Sequence, residues 1–153
     1  MGRPGADARG LAGRLLLSLS LAGCSGHQVS QSQPLLSPGA VEEPVTAVLT
    51  AALRADGRGE SADSLWAADA TIVANGELRG EPPRFAGVGQ GGEIAITSSR
   101  LEVRQTLVWV YLEYRWLSLK DGAAAEGKAT VLLTPKPDGL GWKIVHAHSS
   151  THR

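Results

Sequence analysis

The chain contains 153 residues, of which 42% are hydrophobic and 20% are charged, and its 15 basic side chains are balanced by 15 acidic ones. This composition is typical of a globular domain and excludes a largely disordered protein. Nucleic-acid binding requires a concentrated basic surface, so the balanced charge predicts no nucleic-acid partner.

The first 23 residues have the layout of a secretory signal peptide. Three arginines precede a short apolar run at 15–23, which is too short to span a bilayer as a helix. The run ends in Leu-Ala-Gly-Cys, which resembles the bacterial lipobox, where the cysteine is lipidated and becomes the mature N-terminus. Cys24 is the only cysteine, which excludes an intramolecular disulfide. The alternatives are an ordinary secretory signal with an incidental cysteine, or a buried cysteine in a cytosolic protein.

The lipobox resemblance implies a lipid anchor in a bacterial cell envelope, with membrane lipid as the partner of Cys24. Ser25 follows the lipidated position and, by the same resemblance, does not signal inner-membrane retention. In a cell with two membranes we therefore expect the protein on the periplasmic face of the outer membrane. Residues 25–40 are rich in Ser, Gln, Pro and Gly and predict a flexible tether. The predicted organisation is a signal peptide at 1–23, a tether at 24–40 and a folded domain at 41–153.

Two helices are predicted at the start of the folded domain. Residues 42–55 form an amphipathic helix because apolar side chains recur at helical spacing, at Val45, Val48, Leu49, Ala52 and Leu53. Two glycines end it, at 57 and 59. A shorter helix is predicted over 61–68, with Ser61 as its N-cap and Leu65 and Trp66 as its buried residues.

The remainder of the domain alternates as strands do. A short strand at 70–74 leads through Asn75-Gly76, a strong hairpin turn, into 77–80. Residues 84–92 contain a G-x-G-x-x-G spelling, but two prolines precede it and a strand pattern follows, so a flexible loop is favoured over a nucleotide site. Long strands are predicted over 94–104, 106–119 and 126–135.

The terminal strand begins at Trp142. Strand alternation places Trp142, Ile144, His146 and His148 on one face, and Lys143, Val145, Ala147 and Ser149 on the other. Neither face is purely polar, which indicates a central strand of a strongly curved sheet. The element order predicts an α+β domain with helices against one face of a bent sheet.

Several segments together resemble the SnoaL-like branch of the nuclear transport factor 2-like superfamily. They are the predicted helix pair at 42–55 and 61–68, Trp66 with the strand at 69–73, the hairpin at 76–80 and the terminal segment at 141–150. The terminal segment is also similar to the association domain of calcium/calmodulin-dependent kinase II. The resemblance covers about 41–150. It implies a nuclear transport factor 2-like, cystatin-like cone: a curved antiparallel sheet wrapped around N-terminal helices, with a pocket in its mouth and frequent dimerisation through the sheet. The helix that this family usually has after Gly80 is poorly encoded at 81–92.

This superfamily contains isomerases, cyclases and dehydratases as well as inactive members, so the resemblance leaves enzymatic activity open. Ketosteroid isomerase-like chemistry requires a carboxylate base and hydrogen-bond donors in an apolar cavity. Glu113 is the weak candidate base, because it lies among Leu107, Trp109 and Tyr111 on one strand face, with Tyr111 and Tyr114 as donors. Its alternative role is an ion pair with Arg115 or another basic neighbour.

The two histidines of the terminal strand, His146 and His148, could place two metal ligands side by side. Zinc requires three or four ligands, and no further cysteine is available, so packed structural histidines are favoured. No metal and no cofactor are predicted. The candidates for lining a ligand pocket are aromatic, acidic or histidine side chains: Trp66, Trp109, Tyr111, Glu113, Tyr114, Trp142, His146 and His148. The alternative for the tryptophans is core and dimer interface.

Three functions are consistent with these features. The preferred one is a lipid-anchored module that binds a small hydrophobic ligand or a protein, including a second copy of itself. The alternative is an isomerase or cyclase acting on a small hydrophobic substrate through a pocket carboxylate. The third is a purely structural dimerising envelope protein. An ionisable side chain enclosed in an apolar pocket beside a second polar group would favour the enzyme.

Overall fold

The computed structural model describes residues 37–151. The predicted signal peptide, Cys24 and most of the predicted tether lie outside the described residues. Helix α1 spans Pro38–Arg58, so it is longer at both ends than the predicted 42–55. It begins with a proline in its first turn, where no amide donor is needed. It ends at Gly59, whose left-handed φ of 67° lets its N–H reach the carbonyls of Ala55 and Asp56.

The predicted second helix over 61–68 is wrong. Only a three-residue 3₁₀ turn forms, at Asp63–Leu65, and strand β1 then runs over Trp66–Ala74. Trp66 is buried as a strand residue, opposite Ile144. Sheet pairing at the tryptophan therefore overrides the weak helical spacing of this short segment.

The hairpin predicted at Asn75-Gly76 is confirmed. Both residues have positive φ, 52° and 83°, as a two-residue turn of this kind requires, and they join β1 to the short strand β2 at Glu77–Leu78. The Asn75 side chain also accepts a hydrogen bond from the backbone N–H of Thr151, at 3.0 Å. The turn is thereby tied to the end of the chain's last described strand.

The loop predicted after the hairpin is also confirmed, because residues 79–91 form neither helix nor strand. It is packed rather than exposed: the side chains of Arg84, Phe85, Ala86 and Val88 are buried. Its last predicted residue, Gly92, already belongs to the next strand. We call residues 81–91 the inner loop, since they lie against the core described below.

The four long strands follow in order: β3 at Gly92–Arg104, β4 at Leu107–Ser118, β5 at Ala124–Pro135 and β6 at Trp142–Thr151. The spatial order of the sheet is β2-β1-β6-β5-β4-β3. The terminal strand is central, as predicted, because β6 pairs with β1 on one side and β5 on the other. The sheet is mixed rather than purely antiparallel, since β1 and β6 run parallel.

The curved sheet has two different faces. We call the face that packs against α1 and the inner loop the inner face, and the opposite one the outer face. The apolar core lies on the inner side. Its largest fully buried side chains are Tyr114, Phe85, Leu49, Leu53, Leu112, Leu133 and Ile144. Within residues 37–151, one α-helix rather than two fills the concavity, and the inner loop covers the remainder.

The side-chain alternation predicted for β6 fails at Val145. Leu133 pairs with Ile144 and Leu132 with His146, so Val145 is an extra residue on β6. Before this bulge Trp142 and Ile144 are buried, whereas after it Ala147 and Ser149 are buried. One inserted residue exchanges the two faces of a strand. His146 and His148 therefore do not share a face with Trp142.

Among residues 37–151, no helix has both the length and the apolar character needed to cross a membrane.

Candidate functional site

The eight candidate pocket residues do not meet in one cavity. Trp66, Tyr114 and Trp142 are buried on the inner face. The remaining five lie on the outer face, as the strand registers and burial show: Trp109, Tyr111, Glu113, His146 and His148. The prediction of a shared aromatic pocket combined residues from opposite sides of the sheet.

Glu113, the weak candidate base, lies outside any apolar enclosure. Its side chain is 38% exposed. Its carboxylate forms an ion pair with the Lys128 ammonium, at 2.9 Å, directly across the β4–β5 pair. This is the ion-pair role that the sequence left open. An exposed ion pair of this kind leaves the carboxylate in contact with solvent, without the apolar enclosure that ketosteroid isomerase-like chemistry requires.

The two histidines of β6 have no partners arranged for metal binding among residues 37–151. His148 is exposed on the outer face. Within the described part of the chain, no group of three or more His, Cys, Asp and Glu side chains is arranged to hold a metal ion. The structure thus gives the histidine pair no third ligand.

A buried carboxylate that the sequence analysis missed lies at the end of α1. Asp56 is only 3% exposed, and it accepts three hydrogen bonds from the inner loop: two from the Arg84 N–H, at 2.6 and 2.7 Å, and one from the Phe85 N–H, at 2.7 Å. Burial raises its pKa, although those amides and the Arg84 charge act in the opposite direction. The signal was present in the sequence, because Asp56 continues the apolar stripe of Leu49, Ala52 and Leu53 at helical spacing.

Two further polar side chains hold the same loop from the sheet side. The Tyr114 hydroxyl donates to the Ala86 carbonyl at 2.6 Å, and the Ala86 N–H donates to the Ser149 hydroxyl at 2.9 Å. Burial raises the pKa of Tyr114 well above its usual value. Gly127 makes the arrangement possible, because a Cβ there would overlap the Tyr114 ring. Asp56, Tyr114 and Ser149 therefore act together as an anchor for the inner loop.

A cleft of about 470 Å³ opens where β1 separates from β6. Trp66 pairs with Ile144 and Thr71 with His146, so the four residues 67–70 lie opposite Val145 alone. Three of those four residues are alanines, whose small side chains leave the space unfilled. We call this the β1 cleft, and it is lined by Asp63, Trp66, Ala67, Ala68, Ala70, Ile72, Arg79, Gly80, Arg84 and Lys143.

Arg84 is the most constrained charge in the β1 cleft. Its side chain is 8% exposed, and its guanidinium carbon lies 5.1 Å from the centroid of the Trp66 ring. One terminal nitrogen donates to the Asp63 carboxylate at 2.6 Å and to the Gly80 carbonyl at 3.3 Å. The Nε–H is buried and has no hydrogen-bond partner among residues 37–151. A buried unpaired donor on a cation is costly, and an added acceptor would relieve that cost.

The other charges of the cleft make it positive overall. The Lys143 ammonium donates to the Trp66 carbonyl at 3.1 Å, and Arg79 pairs with Glu77 at 2.8 Å while remaining partly exposed. Three cationic side chains therefore line the cleft with one carboxylate, Asp63. Ser61 and Arg84 hydrogen-bond to that carboxylate and lower its pKa. This arrangement can bind an anion, since its cationic side chains outnumber its one carboxylate.

Comparison with known proteins identifies the class of fold. The chain matches no family model and no curated protein sequence. It is similar in structure to a nuclear transport factor 2-like superfamily protein from Salmonella enterica serovar Typhimurium, at 12% identity and a TM-score of 0.60, covering 76% of this chain and 94% of that one.

Two further solved structures are similar. One is a proposed ketosteroid isomerase from Shewanella frigidimarina, at 18% identity and a TM-score of 0.55, covering 70% of this chain and 94% of the other. The second is a proposed calcium/calmodulin dependent protein kinase II association domain from Xanthomonas campestris, at 16% identity and a TM-score of 0.54, covering 72% and 85%. The chain therefore has the nuclear transport factor 2-like fold that its sequence resembles.

Proposed function

We propose that this chain is a lipid-anchored interaction module of the bacterial cell envelope, of the SnoaL-like type, which pairs with a second copy of itself and catalyses no reaction. The leader layout and the lipobox at Cys24 support the anchor. The fold is compatible with a binding or assembly role, since it also occurs in the proposed association domain named above. The observation that carries the proposal is the chemistry of the outer face.

Large aromatic side chains are exposed in the middle of the outer face. Trp109 is 48% exposed and Tyr111 is 40% exposed, on a strand that has neighbours on both sides. Leu107 and Leu132 lie beside them on the same face. Aromatic residues are enriched in protein interfaces, because they bury a large rigid area at a small entropy cost. This patch therefore favours a protein partner.

The charges around the patch favour a second copy as that partner. Lys128 pairs with Glu113, and Glu102 pairs with both Arg100 and Arg104 at 3.0 Å. Charges of both signs thus alternate around the aromatic centre. A surface of this kind is self-complementary, since the arginines of one copy can meet the glutamates of the other in a two-fold contact.

The enzyme remains the second candidate, because the interior does contain a buried carboxylate near a buried tyrosine, Asp56 and Tyr114. Both groups hydrogen-bond to the inner loop backbone, which leaves neither free to face a substrate. Turnover of a steroid-like or polyketide-like ketone that disappears in Asp56→Asn, in a variant that still folds, would favour the enzyme. We expect no turnover with the wild type, and we expect Glu113→Gln to fold normally.

Sedimentation velocity tests the pairing. The chain without residues 1–23 and with Cys24→Ser should sediment as a dimer at about 10–100 μM, and Trp109→Arg should sediment as a monomer because it places charge in the centre of the contact. Leu140→Arg is the matched control, since Leu140 is 78% exposed in the turn before β6 and should stay dimeric. A monomeric wild type, or a dimeric Trp109→Arg, would contradict the proposal.

The proposed lipid anchor at Cys24 has its own test. Mass spectrometry of the N-terminal peptide from bacterial membranes should show a lipid-modified Cys24, and Cys24→Ser should release the protein from the membrane fraction. Ser25→Ala is the matched control and should keep both the lipid and the membrane location. If the protein is found outside the membrane fraction with an unmodified Cys24, the lipid anchor is contradicted, while the pairing test is unaffected.

A further inference from the structure

We infer that the β1 cleft binds a small organic carboxylate with an apolar body, and that Asp63 occupies the anion position when the ligand is absent. The cleft is separate from the outer face and from the lipid anchor, so the inference depends on neither. Its volume of about 470 Å³ lies within the range of small-molecule sites in proteins.

The anion position is defined by Arg84. The guanidinium is nearly buried, its Nε–H has no partner, and the ring of Trp66 lies beside it. Exposed arginines are solvated and adaptable, whereas this one is held in a fixed position with an unused donor. An Arg side chain binds carboxylates through two parallel N–H donors, and the free Nε–H completes such a pair with the nitrogen that already contacts Asp63.

Asp63 shows which anion fits. Its carboxylate already contacts Arg84 at 2.6 Å, yet its side chain is 75% exposed and lies on a three-residue 3₁₀ turn. Besides Arg84, the exposed Asp63 carboxylate hydrogen-bonds to Ser61, and exposed contacts of this kind are weak enough for an incoming carboxylate to replace Asp63 at Arg84. The ammonium of Lys143 adds a second positive charge to the cleft.

The remainder of the cleft selects an apolar body. Its other lining residues include Ile72 and the three alanines of the separated β1 segment. These side chains offer no hydrogen-bonding group, and the small alanines leave unfilled space beside the Arg84 guanidinium. The ligand chemistry that fits both parts is one carboxylate joined to a compact aromatic or aliphatic group.

Equilibrium dialysis with radiolabelled phenylacetate tests the inference on the full chain, with the same detergent on both sides of the membrane. We expect saturable binding below about 10 mM and competition by unlabelled phenylacetate but not by phenylacetamide, its neutral analogue. Asp63→Asn should tighten binding at least about threefold, and Lys143→Gln should weaken it at least about fivefold. Lys128→Gln, a cation on the outer face, should leave it unchanged.

These expected outcomes differ from those of a purely structural role for the charged side chains of the β1 cleft. A structural ion pair predicts that Asp63→Asn weakens the site or leaves it unchanged, whereas displacement predicts tighter binding. Circular dichroism of each variant would establish that it is folded. The inference is overturned by equal competition from phenylacetamide, by unsaturable binding, by failure of Lys143→Gln to weaken binding, or by any result for Asp63→Asn other than tighter binding.

Discussion

The inner and outer faces of β4 differ although they belong to one strand. Val108, Val110, Leu112 and Tyr114 point inward and are at most 2% exposed, while the residues between them form the aromatic and charged outer face. Each face has a tyrosine and a carboxylate, Tyr114 with Asp56 of α1 on the inner side and Tyr111 with Glu113 on the outer side, but only the inner pair holds the loop backbone. The inner face should therefore determine stability, and the outer face should determine assembly.

The tryptophans provide the largest test of this difference. Trp142 is 7% exposed and Trp109 is 48% exposed. Trp142→Ala should lower the free energy of unfolding by about 3–5 kcal/mol, because it leaves a cavity in the core. Trp109→Ala should lower it far less when it is measured at a dilution that prevents any pairing of copies. Urea unfolding followed by circular dichroism measures both, and similar losses for the two variants would contradict the assignment of faces.

The carboxylates provide the next test. Asp56→Ala removes the acceptor of three backbone hydrogen bonds and should lower the free energy of unfolding by about 3 kcal/mol. Glu113→Ala removes an exposed ion pair and should have little effect. Hydrogen exchange should locate the Asp56→Ala effect at the amides of Arg84 and Phe85. Unchanged protection there would show that the inner loop is held by its apolar contacts alone.

Tyr114 and Tyr111 give a comparison in which the expected change in unfolding free energy is smaller. Tyr114→Phe keeps the ring but removes the hydroxyl that donates to the Ala86 carbonyl, so it should cost about 1–2 kcal/mol of unfolding free energy. Tyr111→Phe should leave that free energy nearly unchanged, since its ring is partly exposed. Equal effects in thermal unfolding would mean that the buried hydroxyl contributes nothing to holding the loop.

The pH dependence of stability is the smallest expected effect. Because burial raises the pKa of Asp56 above 3.8, the folded state keeps this proton over a pH range in which the unfolded chain has released it. The contribution of Asp56 to the free energy of unfolding should therefore fall as the pH rises from about 3.8 through the raised pKa. Asp56→Asn cannot titrate, so its stability should decline less over that range. Parallel stability curves for the two proteins would contradict the raised pKa.

The comparison also shows what the sequence could predict. Alternation along β4 and the Asn75-Gly76 turn are local signals, and both predictions are confirmed. The bulge at Val145 is not local, because it depends on how β6 fits beside β5, and one inserted residue changed the predicted face of both histidines. The strand at Trp66 was missed for the same reason, since its pairing partner lies far away in the sequence.

The candidate site was harder to predict than the fold. Glu113 was the candidate base because it is an acid in an apolar strand. Strand periodicity does not reveal which face of the sheet is covered by the helix and the inner loop. The helical stripe could place Asp56 on the buried face of α1, but the amides that it binds come from a distant loop, so its role could not be predicted. The β1 cleft arises from a separation between two strands, and neither strand sequence alone reveals that gap.

Strand β3 forms one margin of the sheet and pairs only with β4 among the described strands. A margin thirteen residues long can act as a template on which other chains add strand after strand. Here its register is interrupted between Ile96 and Ser98, and two arginines and a glutamate occupy the segment at 100–104. Both features discourage amyloid-like growth, so the sheet can expose aromatic rings on its outer face without stacking into fibrils.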